Sequence, residues 1–182
     1  GVIRGNPVVE TLGKIGKPAV EPLIACVKGQ DEELARWAVD VLGRIGPDAA
    51  PAVPAMIDLW KRRSDRKWQW YCLRGNIAGA IGSLGPAGRP ALPALMETWR
   101  NDPASRRSIG YALGGVGKPA VPLLAELLDS EDAEERRIAA GQLARVGPPA
   151  AEAKPVLKRH LKDPDEKVRK LAQRALEAIG GE

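Results

Sequence analysis

LGRIGPDAAPAVPAM, residues 42–56, holds a helix end, an enforced turn and a helix start in one stretch. Upstream of its glycine, Leu34, Trp37, Ala38, Val41, Leu42 and Ile45 recur at i, i+3, i+4, i+7, i+8 and i+11, the single apolar stripe of an amphipathic helix. Gly46 then stops the helix, because glycine takes the left-handed conformation beyond a helix C-terminus with no Cβ penalty. Proline follows within a few residues and suits the first turn of the next helix, where its missing N–H costs nothing. That second helix has its own stripe in Val53, Met56, Ile57 and Trp60.

The passage recurs as LGKIGKPAVEPLI (12–24), IGSLGPAGRPALPALM (81–96), LGGVGKPAVPLL (113–124), LARVGPPAAEAKPVL (143–157) and, at the end, LEAIGG (176–181). The second glycines fall at Gly16, Gly46, Gly85, Gly117, Gly147 and Gly180. A period near 30 residues sustained along a chain means stacked supersecondary units. The expected fold is all-α: a right-handed α-solenoid of stacked antiparallel helix pairs, about eleven helices, in one domain over 1–182. It divides into a half repeat 1–16 and repeats at about 17–46, 47–85, 86–117, 118–147 and 148–180. LGxIGxxA followed by a proline-rich helix resembles the HEAT repeats, in particular the short bacterial HEAT-like repeats also found in phycobilisome lyases. The resemblance implies outer helices near 18–28, 50–62, 89–100, 119–129 and 150–162. Inner ones are implied near 7–15, 32–45, 66–84, 103–116, 132–146 and 164–179. A chain that opens on an inner helix without its outer partner is expected to be a piece of a longer array, and its location is expected to be cytoplasmic.

The bulk properties suit a folded domain: 182 residues, 44% hydrophobic and 28% charged. No apolar run approaches the ~20 residues that span a bilayer, so no membrane insertion is expected. Cys26 and Cys72 lie far apart and are expected to be two buried thiols. The net charge of +5 is unevenly spread: residues 1–60 carry 6 Lys/Arg against 8 Asp/Glu, residues 61–118 carry 11 against 3, and residues 119–182 carry 11 against 12. Such a local field points to an acidic or phosphorylated partner.

Inside the basic third, KRRSDRKWQWYC (61–72) fills the long step between Gly46 and Gly85. It reads as an insertion projecting from the edge of the array, with Arg62, Arg63, Arg66, Lys67, Trp68 and Tyr71 as candidate partner-binding residues. Aligned on the second glycine, two further columns stand out. Asp31, Asp102, Asp132 and Asp165, followed five residues later by Arg36, Arg107, Arg137 and Lys170, match the Asp/Arg ladder that the HEAT resemblance implies between repeats. One residue earlier, Arg74, Arg106, Arg136 and Arg169 form a row with no matching acid column, which reads either as a solvated polar face or as a cationic ridge that binds carboxylate or phosphate, and the four are candidate partner-binding residues. Helix-interior glycines also cluster here. Gly82 and Gly114 share a column with Gly13 and Gly43 and read as close packing, whereas Gly75, Gly79 and Gly110 have no such column and read either as tight helix packing, the simpler reading, or as backbone bared to the close approach of a partner. Trp60, Trp99, Leu128 and Leu161 share a core column.

The chemistry of catalysis is sparse. His160 is the only histidine, and it reads as a cation at a helix C-terminus. LGGVGK is one of six helix stops rather than a phosphate loop. HEAT-like hydroxylases that bind iron use His-Glu pairs, and none occurs. The expectation is therefore no metal, no cofactor and no small-molecule substrate. It favours a non-catalytic binding scaffold gripping an acidic protein segment. A nucleic-acid-binding protein built like the HEAT-like DNA glycosylases and a bilin-lyase-like protein are the alternatives.

Overall fold

The computed structural model describes residues 14–62 and 67–180, the side chains of 67–71 excepted. Among them are helices and turns and no strand. The helices are α1 (Val20–Lys28), α2 (Glu32–Ile45), α3 (Val53–Lys61), α4 (Lys67–Ser83), α5 (Leu92–Asn101), α6 (Arg106–Val116), α7 (Val121–Leu128), α8 (Ala133–Val146), α9 (Lys154–Arg159) and α10 (Glu166–Ala178). The odd-numbered helices form an outer layer and the even-numbered ones an inner layer. Each inner helix packs on the outer helix of its own pair and on the next inner helix, from α2 through α10. The chain is thus an α-solenoid of stacked helix pairs. The expected first inner helix, 7–15, lies almost entirely outside the described residues.

The six glycines that mark the period are the residues with positive φ among those described, from 60° at Gly85 to 85° at Gly180. At Gly16, Gly46, Gly117 and Gly147 the conformation differs from the helical left-handed one that the sequence pattern predicts. Gly46 sits at φ 73°, ψ −139° and Gly117 at φ 76°, ψ −134°, in the mirror image of the β region, which a side chain forbids. From there the chain turns straight into a proline-bearing 3-10 turn, Lys118–Ala120, closed by the Ala120 N–H on the Gly117 carbonyl at 2.9 Å. Asparagine, which tolerates the helical left-handed well, does not tolerate this one. Gly117→Asn and Gly117→Ala are therefore each expected to cost about 1–3 kcal/mol in denaturant unfolding. An asparagine variant close to wild type would show that the turn relaxes.

Aspartates start three of the inner helices. Asp31 accepts from the Glu33 and Leu34 N–H groups, each at 3.0 Å, Asp132 from Glu134 at 2.8 Å and Asp165 from Val168 at 3.0 Å. Asp163 does not cap α10; it is buried in an ion pair instead. The core runs the length of the array, and Trp60 and Trp99 lie inside it with 1% and 2% exposure. Three core expectations are corrected. Leu34 is exposed, because it sits in the first turn of α2 beyond the cover of the outer layer. Leu161 is exposed, because the chain leaves α-helical register in the 3-10 turn His160–Lys162. The thiols are not both buried: Cys26 is half-buried and Cys72 is exposed, on the face of α4 that carries Asn76 and Gly79.

Candidate functional site

The arginine row has acids after all. Arg74 Nη1 donates to Asp102 Oδ2 at 2.9 Å, one repeat on, while its guanidinium lies 5.2 Å over the Trp60 ring. Arg106 Nη1 donates to Asp132 at 3.0 Å, its Nη2 lies 2.9 Å from Glu135, and its Nε bonds the Trp99 carbonyl at 3.2 Å. Arg136 is buried and grips Asp163 through Nε and Nη2, at 2.9 and 3.0 Å, and the Ser130 and Glu131 carbonyls through Nη1. Arg169 Nη1 donates to the Asp163 and Pro164 carbonyls at 2.8 and 3.1 Å. Arg74, Arg106 and Arg136 thus form inter-repeat rungs one residue before the column to which the sequence pattern assigned the ladder, while in that column Arg137 makes a rung as expected, to Asp165. The reason is visible in the stripe. Arg74 precedes Ile77, Ala78 and Ile81 by three, four and seven residues, and all three are buried, so it points towards the junction between layers.

The Asp163 cluster is the densest part of that ladder. Besides Arg136, Asp163 accepts from the Asp165 N–H at 2.8 Å and lies 2.9 Å from His160 Nδ1. His160 Nε2 lies 3.2 Å from Asp129, which also takes Arg159 at 3.0 and 3.1 Å. Burial alone would raise the Asp163 pKa, but the hydrogen bonds from Arg136 and His160 prevail and hold it at about 2. Arg137 holds Asp165 well below the usual carboxylate range.

Of the insertion residues, Arg62 has a structural use: Nη1 and Nη2 cap the end of the first pair's outer helix through the Gly29 and Lys28 carbonyls, at 2.8 and 3.1 Å. Arg63 and Arg66 lie outside the described residues. Lys67, Trp68 and Tyr71 begin α4, where the backbone alone is described.

What faces outward on the inner layer is a different set. Arg107 and Tyr111 on α6 are one turn apart, with the Arg107 side chain 77% exposed and Tyr111 54% exposed. Arg145 on α8 is exposed and reaches the Tyr111 carbonyl at 3.2 Å. Lys167, Lys170 and Arg174 are exposed along one side of α10. The sequence signal was present, since Arg107 has Tyr111 rather than a buried residue four positions on. On α4 the same face bears glycine. A Cβ added at Gly79 meets nothing within 4 Å, and one at Gly75 meets the Ser108 hydroxyl at an ordinary 3.8 Å. Packing therefore explains neither. It does explain Gly110 and Gly115: a Cβ on Gly115 would lie 2.6 Å from the Gly82 backbone, and one on Gly110 2.3 Å from the Ile138 side chain, which removes Gly110 from the exposed set; Gly13 lies outside the described residues. Gly79→Ala is expected to stabilise the protein by about 0.5–1 kcal/mol, raising Tm by roughly 1–4 °C, whereas Gly115→Ala must prise α4 from α6 and lower it. Calorimetry of the two variants checks the contrast, and a loss at Gly79 would show a hidden packing role.

Among the described residues, recesses open on this face in two places. One, of about 480 Å³, is lined by Asp40, Arg44, Gly75, Asn76, Gly79 and Ser83; the other, of about 370 Å³, lies between α6 and α8. Among the described residues no group of three or more His, Cys, Asp or Glu side chains is placed to hold a metal ion, and no helix is long and apolar enough to cross a membrane.

A solenoid of glycine-stopped, proline-started helix pairs with an Arg/Asp ladder is a helical-repeat protein. The chain belongs to the HEAT-repeat family, whose model matches residues 71–143 and 120–182, more than half of its length. No curated protein matches it. Similar solved structures include human deoxyhypusine hydroxylase in complex with glycerol, at 19% identity and TM-score 0.54, covering 94% of this chain and 77% of that one. They also include an engineered protein from the Northeast Structural Genomics Consortium, at 20% identity and TM-score 0.47, covering 94% and 88%. At such identity the hydroxylase shares the fold alone.

Proposed function

We propose that the chain is a non-catalytic docking scaffold whose inner face holds an acidic polypeptide segment across α4, α6, α8 and α10. The observation that carries this is the pair Gly75 and Gly79. Each weakens α4 by about 0.5–1 kcal/mol relative to alanine, neither is required by a neighbour within the fold, and together they bare the backbone to whatever lies on it. Beside them on α6 stand Tyr111, an aromatic of the kind that anchors interfaces, and the exposed Arg107, and farther along the inner layer, on α10, the exposed cations Lys167, Lys170 and Arg174. HEAT repeats commonly serve protein interactions, which agrees with the reading.

The test is a titration with a fluorescein-labelled Glu/Ala model peptide at low salt. Gly79→Leu fills the bared strip without adding charge. It is expected to weaken the peptide at least tenfold while leaving Tm equal or higher. Unchanged affinity sinks the proposal. Single-stranded DNA binding more tightly than the peptide, with the same sensitivity at Gly79, would replace it with the nucleic-acid reading.

A further inference from the structure

The recess between α6 and α8 is lined by Arg107, Tyr111, Glu134, Arg137, Gln142 and Lys167 among others. Glu134 lies between guanidiniums of two successive inner helices: Oε1 is 3.8 Å from Arg107 Nη2, and Oε2 is 3.2 Å from Arg137 Nη1. The first distance is too long for a hydrogen bond, and the Glu134 side chain is 51% exposed. Asp165 takes the Nε and Nη2 edge of Arg137, which leaves the Nη1 edge turned to the recess. Among the described residues Arg107 has no carboxylate neighbour but Glu134. With Glu134 and Asp165 set against Arg107, Arg137 and Lys167, the recess keeps one uncompensated positive charge.

We propose that this recess is a specific oxyanion site that takes a carboxylate side chain of the docked segment, and that Glu134 is its internal occupant, displaced on binding. The inference rests on the docking reading above and names where that segment is pinned. An incoming carboxylate neutralises the surplus charge and gains the Arg107 guanidinium, the Nη1 edge of Arg137 and the Lys167 ammonium. The displaced Glu134 is not stranded, because it lies in the first turn of α8, where the helix dipole favours an anion in water.

The experiment compares wild type, Glu134→Gln, Arg107→Gln and the double variant against the Glu/Ala peptide, with Glu152→Gln, on an exposed turn outside the recess, as a charge control. Removing the competitor is expected to tighten the peptide about two- to fivefold, as for a weak exposed ion pair. The gain should vanish in the Arg107→Gln background and be absent in Glu152→Gln. The Tm of Glu134→Gln should stay level or fall slightly, so a merely structural role for Glu134 predicts no tightening. Unchanged or weaker binding, or a gain that survives loss of Arg107, overturns the proposal while leaving docking intact. If the peptide fails to bind at all, docking fails, and inorganic phosphate then decides the recess alone. Phosphate should shift the Arg107 and Arg137 Nε–Hε resonances more in Glu134→Gln than in wild type, and no such difference overturns the site.

Discussion

Asp163→Asn is expected to destabilise the protein by about 3–5 kcal/mol, the usual cost of removing one partner from a buried ion pair. The wild-type carboxylate is 6% exposed and accepts from Arg136 twice, from the Asp165 N–H and, when the imidazole carries a proton there, from His160. An amide has the same shape but offers one acceptor oxygen and no charge, so the Arg136 guanidinium is left buried and under-compensated. Arg136 also holds the turn carbonyls of Ser130 and Glu131, so the loss loosens the seam between the last two repeats. Stability in a stacked array is largely nearest-neighbour coupling; the damage should therefore appear first as faster hydrogen exchange in α9 and α10, with α2 protected. Arg159→Ala removes a neighbouring pair whose side chains are 62% and 56% exposed, and is expected to cost no more than about 1 kcal/mol. If Asp163→Asn costs no more than Arg159→Ala in urea unfolding, the Asp163 cluster does not clamp the repeats.

The same carboxylate sets a pH dependence. Its folded pKa of about 2 lies below the ordinary value of 3.8. A depressed pKa means the folded state holds the proton less well than the unfolded one. The stabilisation is thus complete above pH 4 and is lost as pH falls from about 4 to 2, amounting to about 2 kcal/mol for Asp163. Asp165 and Asp129 are shifted in the same direction, so acid should melt the C-terminal repeats first.

The repeat was legible because its punctuation is local. Whether Gly46 or Gly117 ends a helix depends on the conformation of one residue, and each of the six marked glycines has positive φ. Burial of Trp60 and Trp99 was legible for a similar reason, since helical periodicity fixes which side of a helix they occupy. The choice between Arg106 and Arg107 was harder. Both lie about one period from an aspartate, and they differ by a single residue, or 100° of rotation around the helix. The neglected clue was the stripe: Arg136 precedes buried Ala139, Ala140 and Leu143, which turns it to the layer junction. Gly110, left open in the sequence between tight packing and exposure, needed the structure for another reason. Its crowding comes from Ile138, a side chain of the next repeat, and the angle between repeats is not written in the period.

Reversing Arg107 and Arg174 to glutamate together is expected to weaken the Glu/Ala peptide by at least a hundredfold at low salt without unfolding the protein. Both side chains are exposed. Arg107 touches no carboxylate among the described residues except Glu134 at 3.8 Å, so the stability cost should stay within about 1 kcal/mol. Each reversal changes an attraction into a repulsion, and about 1.4 kcal/mol at each site suffices for the hundredfold loss. Because these charges are in water, the loss should shrink steeply between low and physiological salt. Arg106→Gln with Arg136→Gln is the opposite case. Those side chains are occupied by Asp132, Glu135, Asp163 and backbone carbonyls, so the pair should lower Tm strongly and reduce binding only in proportion to the fraction unfolded. Circular dichroism melts beside anisotropy titrations separate the two. If the Arg106/Arg136 variant stays folded and loses binding while the Arg107/Arg174 variant keeps it, the recognition surface is the buried row after all. The ladder would then have to open to admit its partner.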